Sequence, residues 1–192
     1  GFYTNHDNGP AFARHVGEEL PAVIERHFRA KPQREARAIG GLSMGGYGAL
    51  RVGLEYADRF CSLNSHSGAV GWGGKFGVEG YQDAARVRGW NDEFVREMIR
   101  IFGESPRGSD HDLICWAQKA RASGKLPRIL MDCGVEDYLL GDNRHLHREL
   151  TEADIPHTYL EHAGAHTWDY WDLHVKDALE FHAQSLGIER LP

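Results

Sequence analysis

The chain has 192 residues, of which 41% are hydrophobic, and its formal net charge is −6 at pH 7. This length suits one domain, which would bury roughly 70% of the surface that the unfolded chain exposes. The acidic balance, the lack of clustered basic residues and the lack of any run of ~20 apolar residues argue against nucleic acid or a membrane as partner.

The cysteines and the first residues bear on the compartment. Cys61, Cys115 and Cys133 are odd in number and show no C-x-x-C spacing. They predict reduced thiols in a cytoplasmic protein instead of a disulfide framework. No leader pattern opens the chain. Because residues 1–5 are typical of a loop or strand already inside a fold, we expect further residues upstream of Gly1.

The first predicted elements are a helix, a strand and a second helix. Apolar side chains recur at helical spacing over residues 11–29, which predicts an amphipathic helix kinked at Pro21. The apolar run 36–42 predicts a short buried strand, and a helix follows to about Asp58. Glycine lowers helix stability, so the glycines of this second helix predict close packing against a sheet.

The segment 41–46, between that strand and helix, has the G-x-S-x-G spacing of a nucleophile elbow. In so tight a turn, side chains two residues before and after Ser43 would collide, which predicts a steric need for Gly41 and Gly45. The turn would raise the Ser43 hydroxyl above the sheet and leave the N–H of Met44 free to stabilise an oxyanion. No G-x-G-x-x-G pattern or lysine-serine pair indicates phosphate binding.

A second strand is predicted over residues 60–65, and a glycine-rich mobile loop follows from residue 68 to 80. Trp72 and Phe76 lie in this loop, which makes them candidates for the wall or lid of an acyl pocket. A plain surface connection is an equally good interpretation of the stretch.

Strands and helices alternate through the rest of the chain. Ser109 and Asp112 make a capping-box-like start for one helix, and Gly124 closes it. The remaining elements are a helical pattern over 81–102, a helix from about 113, a strand over 128–133, a helix over 143–152, a strand over 157–161 and a helix over 171–186. This order predicts an α/β fold with a mostly parallel sheet, helices on both faces and an active site at the carboxyl ends of the strands.

Two further side chains follow predicted strand ends, Asp137 and His166. A serine hydroxyl is a poor nucleophile until a histidine takes its proton, and that histidine needs a carboxylate to fix its tautomer. Ser43, Asp137 and His166 occur in the order nucleophile, acid and histidine that is typical of an α/β-hydrolase. The sequence therefore predicts a catalytic triad.

Other side chains compete for the acid and base roles. Asp132 lies inside a predicted strand, and Asp142 is expected to be a helix N-cap. The residues alone leave His162 open as a rival to His166. A metal site that uses these two histidines is disfavoured, because Gly164 lies between them and no H-E-x-x-H motif is present, and no cofactor is predicted.

Several segments resemble one family. Residues 41–50 resemble the serine motif of the Putative esterase (esterase D-like) family of α/β-hydrolases, which includes S-formylglutathione hydrolases, tributyrin esterases, some feruloyl and acetylxylan esterases, and mycolyltransferases. The other matching segments are 19–21, 67–68, 133–137 and 164–168, with Trp171. Small bacterial tributyrin esterases have the most similar acid and histidine motifs. The resemblance implies one α/β-hydrolase domain over residues 1–192.

Carried over by position, the resemblance implies that Ser43 is the nucleophile, Asp137 the acid and His166, in preference to His162, the base. It implies a serine carboxylesterase acting on short-chain, acetyl-like esters through an acyl-enzyme, without a cofactor. An acyltransferase with the same triad and a non-catalytic interaction domain are the alternatives. The expected partner is a small ester, and homo-oligomerisation is compatible with the sequence.

Two expectations complete the interpretation. Trp168 joins Trp72 and Phe76 as a candidate pocket residue, although aromatic side chains lie more often in a core than in a pocket. Members of the family usually have several strands before the segment that aligns with Gly1, and a loop among them supplies a second oxyanion N–H. We expect the sequence to lack those strands, so that Met44 supplies one half of the oxyanion hole.

Overall fold

The structure, a computed structural model, describes residues 1–6 and 9–188. Its strands are β1 (Ala38–Leu42), β2 (Ser62–His66), β3 (Arg128–Gly134) and β4 (Thr158–His162). Its helices are α1 (Phe12–Arg14), a π-helical segment (His15–Glu19), α2 (Leu20–His27), α3 (Met44–Glu55), α4 (Val78–Arg88), α5 (Asp92–Phe102), α6 (Leu113–Ala122), α7 (Leu140–Glu152) and α8 (Trp168–Ser185). None of the described helices is both long and apolar enough to cross a lipid bilayer.

The four strands form one parallel sheet in the order β1-β2-β3-β4. Leu42 at the end of β1 lies opposite His66, and His66 lies opposite Asp132. Gly134 at the end of β3 lies opposite His162 at the end of β4. The predicted parallel α/β sheet is confirmed, and the carboxyl ends of its strands meet at one edge.

Side-chain alternation along β2 separates the two faces of the sheet. Leu63 faces α3, where Gly53 approaches so closely that an added Cβ would overlap the leucine side chain. On the other face, Ser62 Oγ lies 2.8 Å from Nδ1 of His182, which belongs to α8. Helices therefore cover both faces, and the close packing predicted for the glycine-rich helix is confirmed at Gly53.

The hydrophobic core lies between the sheet and the helices α3, α6 and α7. Side chains of the central strands meet side chains of those helices there, and all of them are buried. Prominent members are Leu50, Val52, Leu54, Leu63, Leu113, Ala117, Ile129, Met131, Leu146 and Leu150. The carboxyl edge of the sheet is thereby held against a packed layer of helices.

The predicted N-terminal helix forms, but its apolar face is largely exposed. The π-helical segment ends just before Pro21, where the missing N–H interrupts regular bonding. No residue of α2 is buried, and 44% of Leu20 and 52% of Val23 are exposed. Because β1 is the edge strand of the described sheet, this helix lies beside the edge, where its side chains and Ile39 line an apolar groove of about 610 Å³.

The helical pattern over 81–102 corresponds to two helices. Gly89 ends α4 in the left-handed region, at φ 68°, which a side chain at that position would disfavour. The side chain of Asn91 then accepts a hydrogen bond from the N–H of Phe94 and caps α5.

Two predicted helix caps are wrong. The N-cap of α6 is Asp112, whose carboxylate accepts from the N–H of Ile114, and not Ser109. Asp142 lies in the first turn of α7 instead of capping it, and its carboxylate pairs with Lys75 Nζ at 2.6 Å. A tertiary ion pair therefore takes the side chain that sequence reasoning assigned to a local cap.

The predicted loop over 68–80 is instead a packed segment. Residues Val70–Gly73 form a buried 3₁₀ turn, and α4 already begins at Val78. An added Cβ at Gly71 would overlap the carboxylate of Asp142, and one at Gly73 would overlap the ring of Tyr47. The glycines here serve close approach between chain segments.

Candidate active site

Ser43 lies in the sharp turn between β1 and α3. Its backbone has φ 55° and ψ −118°, a conformation that residues other than glycine rarely adopt. Two backbone hydrogen bonds hold the turn in this conformation. The N–H of Ser43 donates to the carbonyl of His66 at 2.9 Å, and the carbonyl of Ser43 accepts from the N–H of Ala69 at 2.9 Å. The end of β2 thus holds the serine in a strained, outward-pointing position.

The two glycines of the motif contribute unequally to this turn. An added Cβ at Gly41 would overlap the backbone oxygen of Gly45, so the steric need predicted at Gly41 is confirmed. An added Cβ at Gly45 would meet only the hydroxyl oxygen of Tyr3, at an ordinary 3.9 Å. The predicted steric need at Gly45 is therefore wrong. Gly45 crowds Gly41 with its backbone oxygen, and a side chain at Gly45 would not add to that overlap.

The structure joins Ser43, His166 and Asp137 in one hydrogen-bonded chain. Ser43 Oγ lies 2.9 Å from His166 Nε2, and His166 Nδ1 lies 2.8 Å from Asp137 Oδ2. An ionised carboxylate can only accept, so Nδ1 must carry the proton and Nε2 is left as the acceptor. The serine hydroxyl consequently donates to a nitrogen that is free to take its proton.

Asp137 is a buried carboxylate with both oxygens occupied. Its second oxygen accepts from the N–H of Leu139 at 2.8 Å. Burial raises the pKa of Asp137, but the hydrogen bonds from His166 and from the N–H of Leu139 outweigh burial and leave this pKa below its ordinary value. Asp137 is therefore ionised at neutral pH, as a partner of an imidazole N–H must be.

The loops that follow β3 and β4 hold each other by backbone hydrogen bonds. The N–H of Val135 donates to the carbonyl of His162 at 2.9 Å, and the N–H of Glu136 donates to the carbonyl of Gly164 at 3.0 Å. These bonds fix the loop that carries the acid relative to the loop that carries the histidine, which keeps their separation constant.

Aromatic side chains pack around the His166 ring. The centroid of the Tyr138 ring lies 4.7 Å away, and the edge of Trp171 packs against the imidazole at 4.8 Å. Sequence reasoning missed Tyr138, although its place directly after Asp137 puts it on the same loop. These contacts restrict rotation of the imidazole.

The competing acids and the rival histidine have other partners. Asp132 Oδ1 lies 2.5 Å from His66 Nδ1, and both side chains are almost fully buried. Asp142 pairs with a lysine, as described above. His162, the last residue of β4, has its Nε2 3.7 Å from Asp177 Oδ2 of α8. Geometry thus separates the three predicted residues from their alternatives.

Only one of the predicted aromatic residues borders the serine. A cleft of about 610 Å³ surrounds the elbow, and Trp168, which is 73% exposed, lines it together with Tyr3. Trp72 is 4% exposed and packs among core aromatic rings, including Tyr81. The structure therefore places Trp72 in the core instead of on the wall of this cleft.

Phe76 lines a second cleft, of about 670 Å³. Its other walls include Trp90 and Tyr138, and the guanidinium of Arg88 lies 5.1 Å and 5.0 Å from the centroids of those two rings. Tyr138, which lines this second cleft, also packs on the His166 ring, so one residue borders both the cleft and the imidazole.

The lowered pKa of Asp137 predicts a pH-dependent contribution to stability. The ionised carboxylate stabilises the fold above its pKa in the unfolded chain, about 3.9, and this stabilisation is lost as the pH falls through the lower folded-state pKa. Asp137→Asn should therefore lower the free energy of unfolding at pH 6 more than at pH 3, as measured by urea unfolding. Asp172→Asn changes an exposed carboxylate and serves as control. An equal loss at both pH values would contradict this prediction.

The chain matches one family model and is similar to several known proteins. The family model described as "Putative esterase" matches residues 1–182. The acetyl esterase of Caldicellulosiruptor saccharolyticus is 36% identical over 174 residues, which are 88% of this chain and 63% of that relative. The chain thus spans less than two thirds of that protein's length.

Two solved structures from Staphylococcus aureus resemble the chain closely. A fluorophosphonate-binding serine hydrolase, solved with substrate bound, has a TM-score of 0.77 at 27% identity and covers 94% of this chain and 67% of its own. An S-formylglutathione hydrolase, solved as the apoenzyme, has a TM-score of 0.75 at 27% identity, with 94% of this chain and 66% of its own covered.

Proposed function

Because the chain belongs to the Putative esterase family and has the α/β-hydrolase fold, we propose that it hydrolyses short-chain carboxylic esters through an acyl-enzyme intermediate. The observation that carries this proposal is the hydrogen-bonded chain from Ser43 Oγ through His166 to Asp137. The similarity to an acetyl esterase supports a short acyl group.

This geometry supports the following reaction. Ser43 Oγ attacks the ester carbonyl carbon while His166 Nε2 takes the hydroxyl proton. The tetrahedral intermediate collapses, His166 returns the proton to the leaving alcohol, and the acyl group remains on Ser43. Water then attacks the acyl carbon while His166 Nε2 takes one of its protons, the bond from the acyl carbon to Ser43 Oγ breaks, and His166 returns the proton to Ser43 Oγ as the carboxylic acid leaves. Asp137 holds the imidazole in the required tautomer and stabilises its protonated form.

Met44 is the proposed oxyanion donor. It is the first residue of α3, so its N–H has no acceptor within the helix and lies directly beside the serine. The N-terminal end of this helix also carries a partial positive charge, which favours a developing negative charge nearby. One backbone donor of this kind contributes a factor of about 10²–10³ to kcat.

The two clefts provide sites for the two halves of an ester. The cleft lined by Trp168 also contains Ser43, and the cleft lined by Phe76 has Tyr138, which packs on His166, in its wall. We assign the acyl group to the first and the alcohol to the second, since His166 must protonate the leaving alcohol. Trp72 is buried in the core, so it is not part of the proposed substrate pocket.

A series of p-nitrophenyl esters tests the acyl preference. We expect kcat/KM to be highest for the acetate or butyrate and to fall toward the octanoate, with an acyl adduct on Ser43 trapped by rapid acid quench and found by peptide mass analysis. A rate that rises with chain length would contradict the short-chain assignment, and a lack of any adduct under burst conditions would contradict the acyl-enzyme.

Two further assays distinguish the esterase from an acyltransferase and from a non-catalytic domain. If an added thiol or sugar takes more of the acyl group than water does, the protein is an acyltransferase. If a fluorophosphonate probe labels no residue of the folded chain, the non-catalytic interpretation is correct and the proposed hydrolysis is wrong.

A further inference from the structure

A second cluster of polar side chains lies between the end of β4 and the middle of α8. His162 ends β4, and His174 and Asp177 lie one turn apart on the same face of α8. One ligand atom from each residue lies within 4.8 Å of the other two. None of these residues takes part in the serine's hydrogen-bonded chain, so the proposed esterase mechanism leaves the cluster unused.

The distances within this cluster suit a small divalent cation. Asp177 Oδ2 lies 3.3 Å from His174 Nδ1 and 3.7 Å from His162 Nε2. Ligand atoms around a tetrahedral zinc, each 2.0–2.2 Å from the metal, lie about 3.3 Å from one another. The two distances from the carboxylate oxygen are therefore within a few tenths of an ångström of those in a zinc site, and the two nitrogens need a ring rotation to converge on one ion.

One atom of the cluster lacks a hydrogen-bond partner. His162 Nε2 is buried, and the described residues offer it no hydrogen bond, because 3.7 Å to Asp177 is too long. Buried polar atoms in folded proteins are nearly always paired, so an unpaired imidazole nitrogen calls for an explanation. Coordination to a cation would satisfy it.

The surroundings hold the histidines in place. The His162 and His174 rings stack at 4.0 Å with an 11° angle between their planes, and each presents a nitrogen to the same carboxylate oxygen. On its other side His174 packs on Tyr170, whose hydroxyl donates to Asp132 at 3.0 Å. Because the lone pair of an imidazole nitrogen lies in the ring plane, coordination of both nitrogens to one ion requires at least one of these stacked rings to rotate.

Exposure decides what kind of metal site this is. The side chains of His174, His162 and Asp177 are 12%, 30% and 36% exposed, so the cluster is half-buried and still open to solvent. Two imidazoles and a carboxylate suit zinc and its neighbours among the transition metals better than magnesium or calcium, which prefer oxygen ligands. Three protein ligands leave the fourth position of a tetrahedron for water.

We propose that His162, His174 and Asp177 bind one divalent transition-metal ion of the zinc type. The ion would tie β4 to α8 and stabilise the packing of that helix on the sheet. The site is distinct from the proposed catalytic chain, because His166 is already engaged by Ser43 and Asp137.

Metal titration of the purified, chelator-treated chain tests this proposal. Isothermal titration with ZnCl₂ should show one saturable site per chain, and Co²⁺ should give the intense visible absorption of tetrahedral coordination. His162→Gln, His174→Gln and Asp177→Asn should each weaken zinc binding at least about tenfold, which is the usual effect of altering a metal site's ligands or their supports. At equal zinc concentration, the increase in Tm should be smaller for these variants than for the unaltered chain.

His15→Gln is the matched control, because His15 pairs with the carboxylate of Glu19 on an exposed helix and would bind zinc only adventitiously. It should bind zinc as the unaltered chain does. Far-ultraviolet circular dichroism without metal establishes that each variant is folded, and the half-exposed Asp177→Asn decides the question if a histidine variant unfolds. Absence of a saturable site, or equal binding by the control and all three site variants, overturns the proposal whatever the esterase assays show.

Discussion

Replacement of Ser43 by alanine is expected to lower kcat for p-nitrophenyl acetate by about 10⁴-fold or more, the effect typical of losing the nucleophile of a triad. The reason is the position of the hydroxyl. Ser43, which lines the cleft, has a strained backbone, and its Oγ lies 2.9 Å from His166 Nε2. The variant should also lose labelling by a fluorophosphonate probe.

Ser123→Ala is the control for that change, because Ser123 lies at the end of α6 and its hydroxyl donates to the carbonyl of Ala120. It should keep the rate and the labelling of the unaltered chain. If kcat of Ser43→Ala fell by less than about tenfold, another residue would be the nucleophile. Peptide mapping of the probe adduct in that variant would then identify the residue.

Asp137→Asn is expected to lower kcat by about 10⁴-fold with little change in KM. The amide can offer an N–H to His166 Nδ1, which favours the tautomer whose Nε2 carries the proton. That nitrogen can then no longer accept the proton of Ser43. The change leaves the cleft around the serine intact, so substrate binding should persist, and steady-state kinetics separates the two parameters.

Asp142→Asn is the matched control for the acid. Asp142 is also largely buried and also follows β3, but it pairs with Lys75 instead of a histidine. We expect a kcat within about tenfold of the unaltered chain, with any loss appearing in Tm. If Asp142→Asn or Asp132→Asn reduced kcat more than Asp137→Asn, the assignment of the acid would be wrong.

The hydrophobic pattern predicts the bounds of a strand well where consecutive residues are buried. The pattern predicts β3 over residues 128–133 and the strand runs from Arg128 to Gly134, since every residue after Arg128 is buried and most of them are apolar. Helix starts were less predictable. Leu140 begins α7 three residues before the expected position, and the carboxylate of Asp142, which is expected to cap the helix, instead pairs with Lys75 from a distant segment.

Glycine content misled the prediction at residues 68–80. A glycine-rich stretch suits a flexible loop, and it equally suits a segment that other chain segments approach closely. Which of these applies depends on the neighbours of Gly71 and Gly73, and these come from α7 and α3, far away in the sequence. Composition cannot distinguish the two cases.

The sequence by itself determined the nucleophile turn and the chain order of the three polar residues. The need for Gly41 is local, since the contact with Gly45 arises within five residues, and the alternation of strands and helices places Asp137 and His166 at the same edge of the sheet as Ser43. Local sterics and hydrophobic periodicity operate over just such short distances.

Only the tertiary structure decided which partners meet. Ser43 and His166 are 123 positions apart, and His162, four residues before His166, turns toward Asp177 on α8. The direction of each side chain depends on the loop that carries it and on the helix packed against it, which no local pattern encodes. The same packing of α8 on β4 assembles the proposed metal site.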